Sequence, residues 1–152
     1  MRPTSRELIE GIADALRARI APLLADQAWP ASYLRSIDTL LAHLADRVEH
    51  EHGVLAEDND DLRALLTALV DADVAASTAR DVLDSEAPAP ATASTTDLHA
   101  ANVDYRAALE RAIHEVHASG REDLVELVRA YLRREAVRDR RLYGAFQGRP
   151  PF

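Results

Sequence analysis

Along four stretches of this chain, Leu, Ile, Val and Ala return every three to four positions, and no other feature constrains the fold as strongly. Residues three and four apart share one face of an α-helix, so each stretch must hide an apolar stripe against something. The first stripe is Leu8, Ile9, Ile12, Leu16, Ile20, Leu23 and Leu24; the second is Tyr33, Leu34, Ile37, Leu40, Leu41, Leu44 and Val48. Leu98, Ala101, Tyr105, Ala108, Leu109, Ala112, Ile113 and Val116 make a third, with Asn102 as its one polar intrusion. Leu124, Val125, Leu127, Val128, Tyr131, Leu132, Ala136 and Val137 make the fourth. No segment alternates with period two for long enough to be a strand. Aromatic residues are 5% of the chain, so the core must be built from aliphatic side chains, and 152 residues suffice for one domain with a substantial core.

Start and stop signals divide the stripes into helices. Thr4-Ser5-Arg6-Glu7 has the form of a capping box and opens a helix over 5–24, which Pro22 bends or ends. Pro30 suits a first turn, and Gly53 reads as the stop of a second helix. The crowded run Glu57-Asp58-Asn59-Asp60-Asp61 reads as the solvated start of a third, carried by Leu62, Leu65, Leu66, Leu69 and Val70, with a further turn or two before Asp84. Ser94 or Thr96 caps a fourth helix that ends at Ser119-Gly120, and a fifth runs from Leu124 to Tyr143. Between them, 85–96 is rich in Ala, Pro and Thr, buries little, and reads as an extended linker. The expected fold is all-α: an antiparallel four- to five-helix bundle with one long Ala/Pro/Thr-rich loop. It forms a single helical domain over 1–152, made of a helical half at 5–84, the linker at 85–96, a helical hairpin at 97–143 and an extended tail at 144–152.

Charge and composition restrict function. A formal net charge of −8 argues against a nucleic-acid partner, which calls for a basic footprint. With no cysteine there is no disulfide, thiolate metal site or Cys nucleophile. No stretch approaches the roughly 18 consecutive apolar residues of a membrane span, so the expectation is a soluble, cytoplasmic protein without a membrane partner. All 18 basic residues are Arg, a pattern that coding bias explains and that also suits bidentate recognition of carboxylates or phosphates.

Reaction chemistry finds little to stand on. The serines lie in caps, helix surfaces or the linker, none in a Gly-x-Ser-x-Gly elbow, and no Gly-rich loop could cradle a phosphate. Glu49-x-x-His52 has the spacing by which helix bundles place two metal ligands on one face; Glu110, His114 and His117 are its nearest counterpart. A di-iron or similar site on these five residues is the alternative to solvated histidines at helix flanks. A ligand pocket between helices is a third reading, because pocket and core share the same aliphatic lining. No cofactor is expected. Arg134, Arg138 and Arg141, beside Tyr143 and Phe146, form the best candidate surface for a protein partner, since Arg and Tyr are enriched at interface anchors.

Arg2-Pro3-Thr4-Ser5-Arg6-Glu7-Leu8, the amphipathic helix after it and the closing Leu124-to-Tyr143 helix resemble a family of small all-helical proteins of unknown function. These are typically encoded beside aminoglycoside-phosphotransferase-like kinases and acyl-CoA dehydrogenases. The resemblance covers the two ends and the second helix, about half of the chain. It implies a companion of the kinase-like enzyme, which is thought to act on hydroxyacyl-CoA-type substrates, and it brings no catalytic residues. The family often closes with Asn-Pro before its Tyr, where this chain has Asp139-Arg140-Arg141-Leu142 before Tyr143. The reading that emerges is a non-catalytic helical accessory protein. It binds a phosphotransferase-like or acyl-CoA-processing enzyme, or itself as a homodimer.

Overall fold

The computed structural model describes residues 3–142. All its regular elements are helical, and the described residues include no strand. The chain divides into two compact units, one of Met1–Glu51 with Arg140–Phe152 and the other of His52–Asp139, so the division falls inside a helix rather than in the Ala/Pro/Thr segment.

In the first unit the capping box at Thr4 forms as read. Thr4 Oγ1 accepts from the Glu7 amide at 3.2 Å while the Glu7 carboxylate accepts from the Thr4 amide at 2.7 Å. Helix α1 (Ser5–Ala15) follows, then a widened π turn (Leu16–Ile20) and a tight 3-10 turn (Ala21–Leu24). Pro22 cannot donate to the carbonyl four residues back, and its ring crowds that carbonyl. The distortion that results begins already at Leu16, where the Ala21 amide reaches five residues back to the Leu16 carbonyl. Helix α2 (Ala28–Asp71) starts with Pro30 in its first turn, where no intrahelical donor is needed, and the Ala31 amide bonds the Gln27 carbonyl at 3.0 Å. Arg6 pairs with Glu49 and Asp46, and Arg17 with Asp38 at 2.7 Å, so α1 and the start of α2 run antiparallel.

Helix α2 does not stop at Gly53. It continues through the acidic run to Asp71, and the expected boundary between a second and a third helix is not there. The cause is visible in the spacing: Val54, Leu55, Asp58, Asn59, Leu62, Leu65, Leu66 and Leu69 form one unbroken inward stripe, all of them buried. Gly53 itself is an ordinary helical residue, and a Cβ placed on it meets nothing within 4 Å.

The second unit is built from four helical segments. The end of α2 turns at Asp73 and Ala75, both left-handed at φ 55° and 53°. That conformation is unfavourable for Ala, and the position holds because the Ala75 methyl is buried in the core. Helix α3 (Ala76–Leu83) brings the chain back, and residues 84–94 complete the return. This segment is not simply extended: Thr92 and Ala93 amides close a turn onto the Ala89 carbonyl, and the His52 ring nitrogen Nε2 lies 3.2 Å from the Ala93 carbonyl. Ser94 and Asp97 form a second capping box and launch helix α4 (Thr95–Ala118). Gly120, at φ +66°, makes the reversal into helix α5 (Glu122–Leu142). Contacts fix the directions. Asn59 meets Leu98 and Arg63 meets Tyr105, so α2 and α4 are parallel. Asp58 meets Arg138, Asp61 meets Arg134 and Arg106 meets Glu135, so α5 runs against both. The core between them is Leu62, Leu66, Leu69, Ala108, Ala112, Val116 and Tyr131, each essentially without solvent contact.

The two glycines therefore have opposite roles. Gly53→Ala is expected to raise the unfolding free energy by about 1 kcal/mol through helix propensity alone. Gly120→Ala is expected to lower it by about 1 kcal/mol, because the left-handed turn opposes a Cβ. Urea titration of both variants checks this; a destabilised Gly53→Ala would mean that α2 bends or breaks at that point.

Candidate functional site

The most concentrated polar chemistry in the described residues lies inside the second unit, around Asp58. Burial at this position comes from the inward stripe of α2, which carries Asp58 and Asn59 where Leu would otherwise stand. Both carboxylate oxygens are fully used. Oδ2 accepts from Asn102 Nδ2 at 2.8 Å and from Arg106 Nη2 at 2.7 Å. Oδ1 accepts from the Tyr131 hydroxyl at 3.2 Å and from the Arg138 guanidinium. Asn102 also donates to Asn59 Oδ1 at 2.9 Å and accepts from Arg106 Nε at 2.8 Å, while Asn59 Nδ2 donates to the Leu98 carbonyl at 2.9 Å. Arg138 further pairs with Asp61, Arg134 with Asp61 at 3.0 Å, and Arg106 with Glu135. Three carboxylates thus answer three guanidinium groups, which is what burying charge requires.

Electrostatics follow from this packing. Burial opposes the charge on Asp58, but hydrogen bonds from Asn102 and Arg106, the Arg106 charge and the Arg138 bond outweigh it and hold the carboxyl below its ordinary value of 3.8. Asp61 is lowered in the same way, burial being overcome by Arg134 and Arg138. Burial, then the Asp58 charge, pushes the Tyr131 phenol up. An acid held ionised, with each oxygen already accepting two bonds, is a poor proton acceptor. The arrangement ties α2, α4 and α5 into one register.

The residues singled out from the sequence fall as follows. Arg134 lies half exposed on α5 and bonds Asp61. Arg138, expected on a docking surface, is 7% exposed and turned inward onto Asp58 and Asp61. Its spacing put it on one face of α5 with Arg134, and that face is the one α2 covers. Arg141 is exposed in the last turn of α5, and Tyr143 and Phe146 lie outside the described residues. Of the metal candidates, Glu49 is engaged by Arg6, His52 contacts the Ala93 carbonyl, and Glu110, His114 and His117 are exposed along α4. Among the described residues no three His, Asp or Glu side chains gather into a group able to hold a metal ion. No described helix is long and apolar enough to cross a membrane. The acidic run read as a solvated helix start is corrected too, since Asp58 and Asn59 within it are buried. The signal that could have found them is their place in the Val54-to-Leu69 stripe, and Asn102, visible as a polar intrusion, is their partner.

The first unit presents a surface of another kind. Among its described residues the buried side chains are Ala13 and Ala45, where α1 and α2 touch. Leu8 and Ile12 on α1 are each 54% exposed, and Tyr33, Ile37, Leu40, Leu44 and Val48 on α2 are between 44% and 63% exposed. At 3.6 residues per turn the α2 residues fall within an arc of about 80°. In both helices the exposed stripe is turned the same way from the contact line, so the two stripes share one side of the antiparallel pair. The Arg6 and Arg17 ion pairs occupy the opposite side. Comparison of the chain with protein-family models, with curated proteins and with solved structures gives no match.

Removing the central charge tests the network. Asp58→Ala is expected to cost roughly 3 kcal/mol, because Arg138 and Arg106 lose their buried partner. The folded-state pKa is depressed, so the stabilisation is complete above the ordinary carboxylate value and is lost as pH falls below 3.8 through the lowered value. Urea titrations of both proteins across that range should show the wild-type advantage shrinking; an advantage that holds at full size in strong acid would contradict the assignment.

Proposed function

We propose that the protein is a cytoplasmic, non-catalytic helical interaction protein that works by association through the apolar face of α1 and α2. One observation carries this reading: among the described residues of the first unit the buried side chains are two alanines, while Leu8, Ile12, Tyr33, Ile37, Leu40, Leu44 and Val48 stand about half exposed or more along one face. Burying a Leu, Ile or Tyr side chain contributes roughly 1.5–3 kcal/mol, so a face of this kind gains strongly from being covered. The polar cluster of the second unit supports the same reading, because each Asp58 oxygen already accepts two hydrogen bonds from within the protein.

The resemblance of the two ends and second helix to small companions of kinase-like enzymes names the enzyme class served, phosphotransferase-like or acyl-CoA-processing. Arg134 and Arg138, engaged with Asp61 and Asp58, are replaced as the binding surface by the α1–α2 face.

Velocity sedimentation of the chain alone, and mixed with a purified phosphotransferase-like enzyme, tests the proposal. The wild type should travel as more than a 16.7 kDa particle in at least one condition. Ile37→Glu with Leu44→Glu should return it to chain mass in that condition while leaving its helical far-ultraviolet spectrum. A wild type at chain mass in both conditions rules the reading out.

A further inference from the structure

We propose that the face of α1 and α2 docks on the same face of a second copy of this chain, two helical pairs closing into a four-helix core. The inference rests on the interaction reading above and names its partner.

Three observations select a second copy. The first is area. The half-exposed side chains from Leu8 to Leu44 and Trp29 present on the order of 800 Å², more than the roughly 300–600 Å² of the largest apolar patch on a typical monomer. It equals about what one partner contributes to a standard interface. The second is charge. Between Trp29 and Leu44 on α2, and from Leu8 to Ala15 on α1, the exposed stripe carries no ionised side chain, although the whole chain is at −8. Its complement must therefore be apolar and uncharged, and the same stripe on a second copy meets that condition without burying a charge. The third is relief. On α1, Gly11 and Ala15 flank Leu8 and Ile12 and leave a low surface, whereas Tyr33 and Leu40 on α2 stand out at 63% and 60% exposure. A two-fold axis along the helices sets the low surface of each α1 against the bulky α2 of the other copy, so one patch supplies both knob and hole.

The single tryptophan gives a direct readout, since Trp29 is 75% exposed at the edge of this face. Unmodified full-length chain is diluted from tens of micromolar to tens of nanomolar, following mass by sedimentation and Trp29 emission together. The expected result is a fall from twice the 16.7 kDa chain mass to the chain mass, with a red shift of emission over the same concentrations. Ile37→Glu with Leu44→Glu should weaken self-association by roughly a hundredfold or more, because it places charges in the seam. Val137→Glu, at a 63% exposed position on α5, should leave it unchanged. Should the double variant lose its helical spectrum, the dilution series of the unmodified chain still decides. Chain mass at every concentration overturns the inference, whether hydrogen exchange then shows the face open or covered by its own chain. A chain that stays monomeric alone but binds the purified enzyme also overturns it, and leaves the interaction reading standing.

Discussion

A carboxylate buried between two guanidinium groups sets the geometry of the second unit. Asp58 sits in the middle of an otherwise aliphatic stripe, and that position forces the rest: Arg106 must come from α4, Arg138 and Tyr131 from α5, and Asn102 must bridge them. Aliphatic cores of Leu and Ala tolerate sliding of one helix past another, because neighbouring turns look alike. A charge needing four donors at fixed places does not. Such a cluster adds little net stability over a packed apolar core, and its value lies in excluding other registers.

The two units distribute apolar side chains differently. In the second, Leu62, Leu66, Leu69 and Leu98 are fully covered, and small residues on α4 let the helices close around Tyr131. In the first, α1 and α2 meet over the buried Ala13 and Ala45 and half-buried Ile9, Leu16, Leu34 and Leu41, with ion pairs along one side. The same kind of periodic sequence thus produces a finished core in one unit and an open face in the other. The difference lies in the number of helices available to each, not in the stripes themselves.

Much of the helical plan is legible in the residues. Thr4 and Ser94 are each followed three positions later by an acid, and both open helices with reciprocal caps; Gly120 closes α4 where a left-handed residue is needed. The site is less legible. Gly53 and the acidic run look like punctuation when read by residue type, whereas Asp58 and Asn59 keep the core spacing when read by position. Their partners lie far along the chain, Arg138 being 80 positions away, and no local rule joins them. Arg134 and Arg138 show the complementary limit: helical spacing says that they share a face, and only packing says whether that face looks inward. Likewise, stripes in the first 50 residues announce a need for cover without saying which of their side chains stay exposed among the described residues.

The clasp between His52 and the return segment has a chemical corollary. A backbone carbonyl can only accept, so the His52 proton must reside on Nε2 for the ring to hold Ala93. Nδ1 is then the nitrogen with a lone pair when the ring is neutral, and a second donor when it is charged. The bond to Ala93 holds the strap that leads into α4. Anything that captured Nε2 itself would unfasten it.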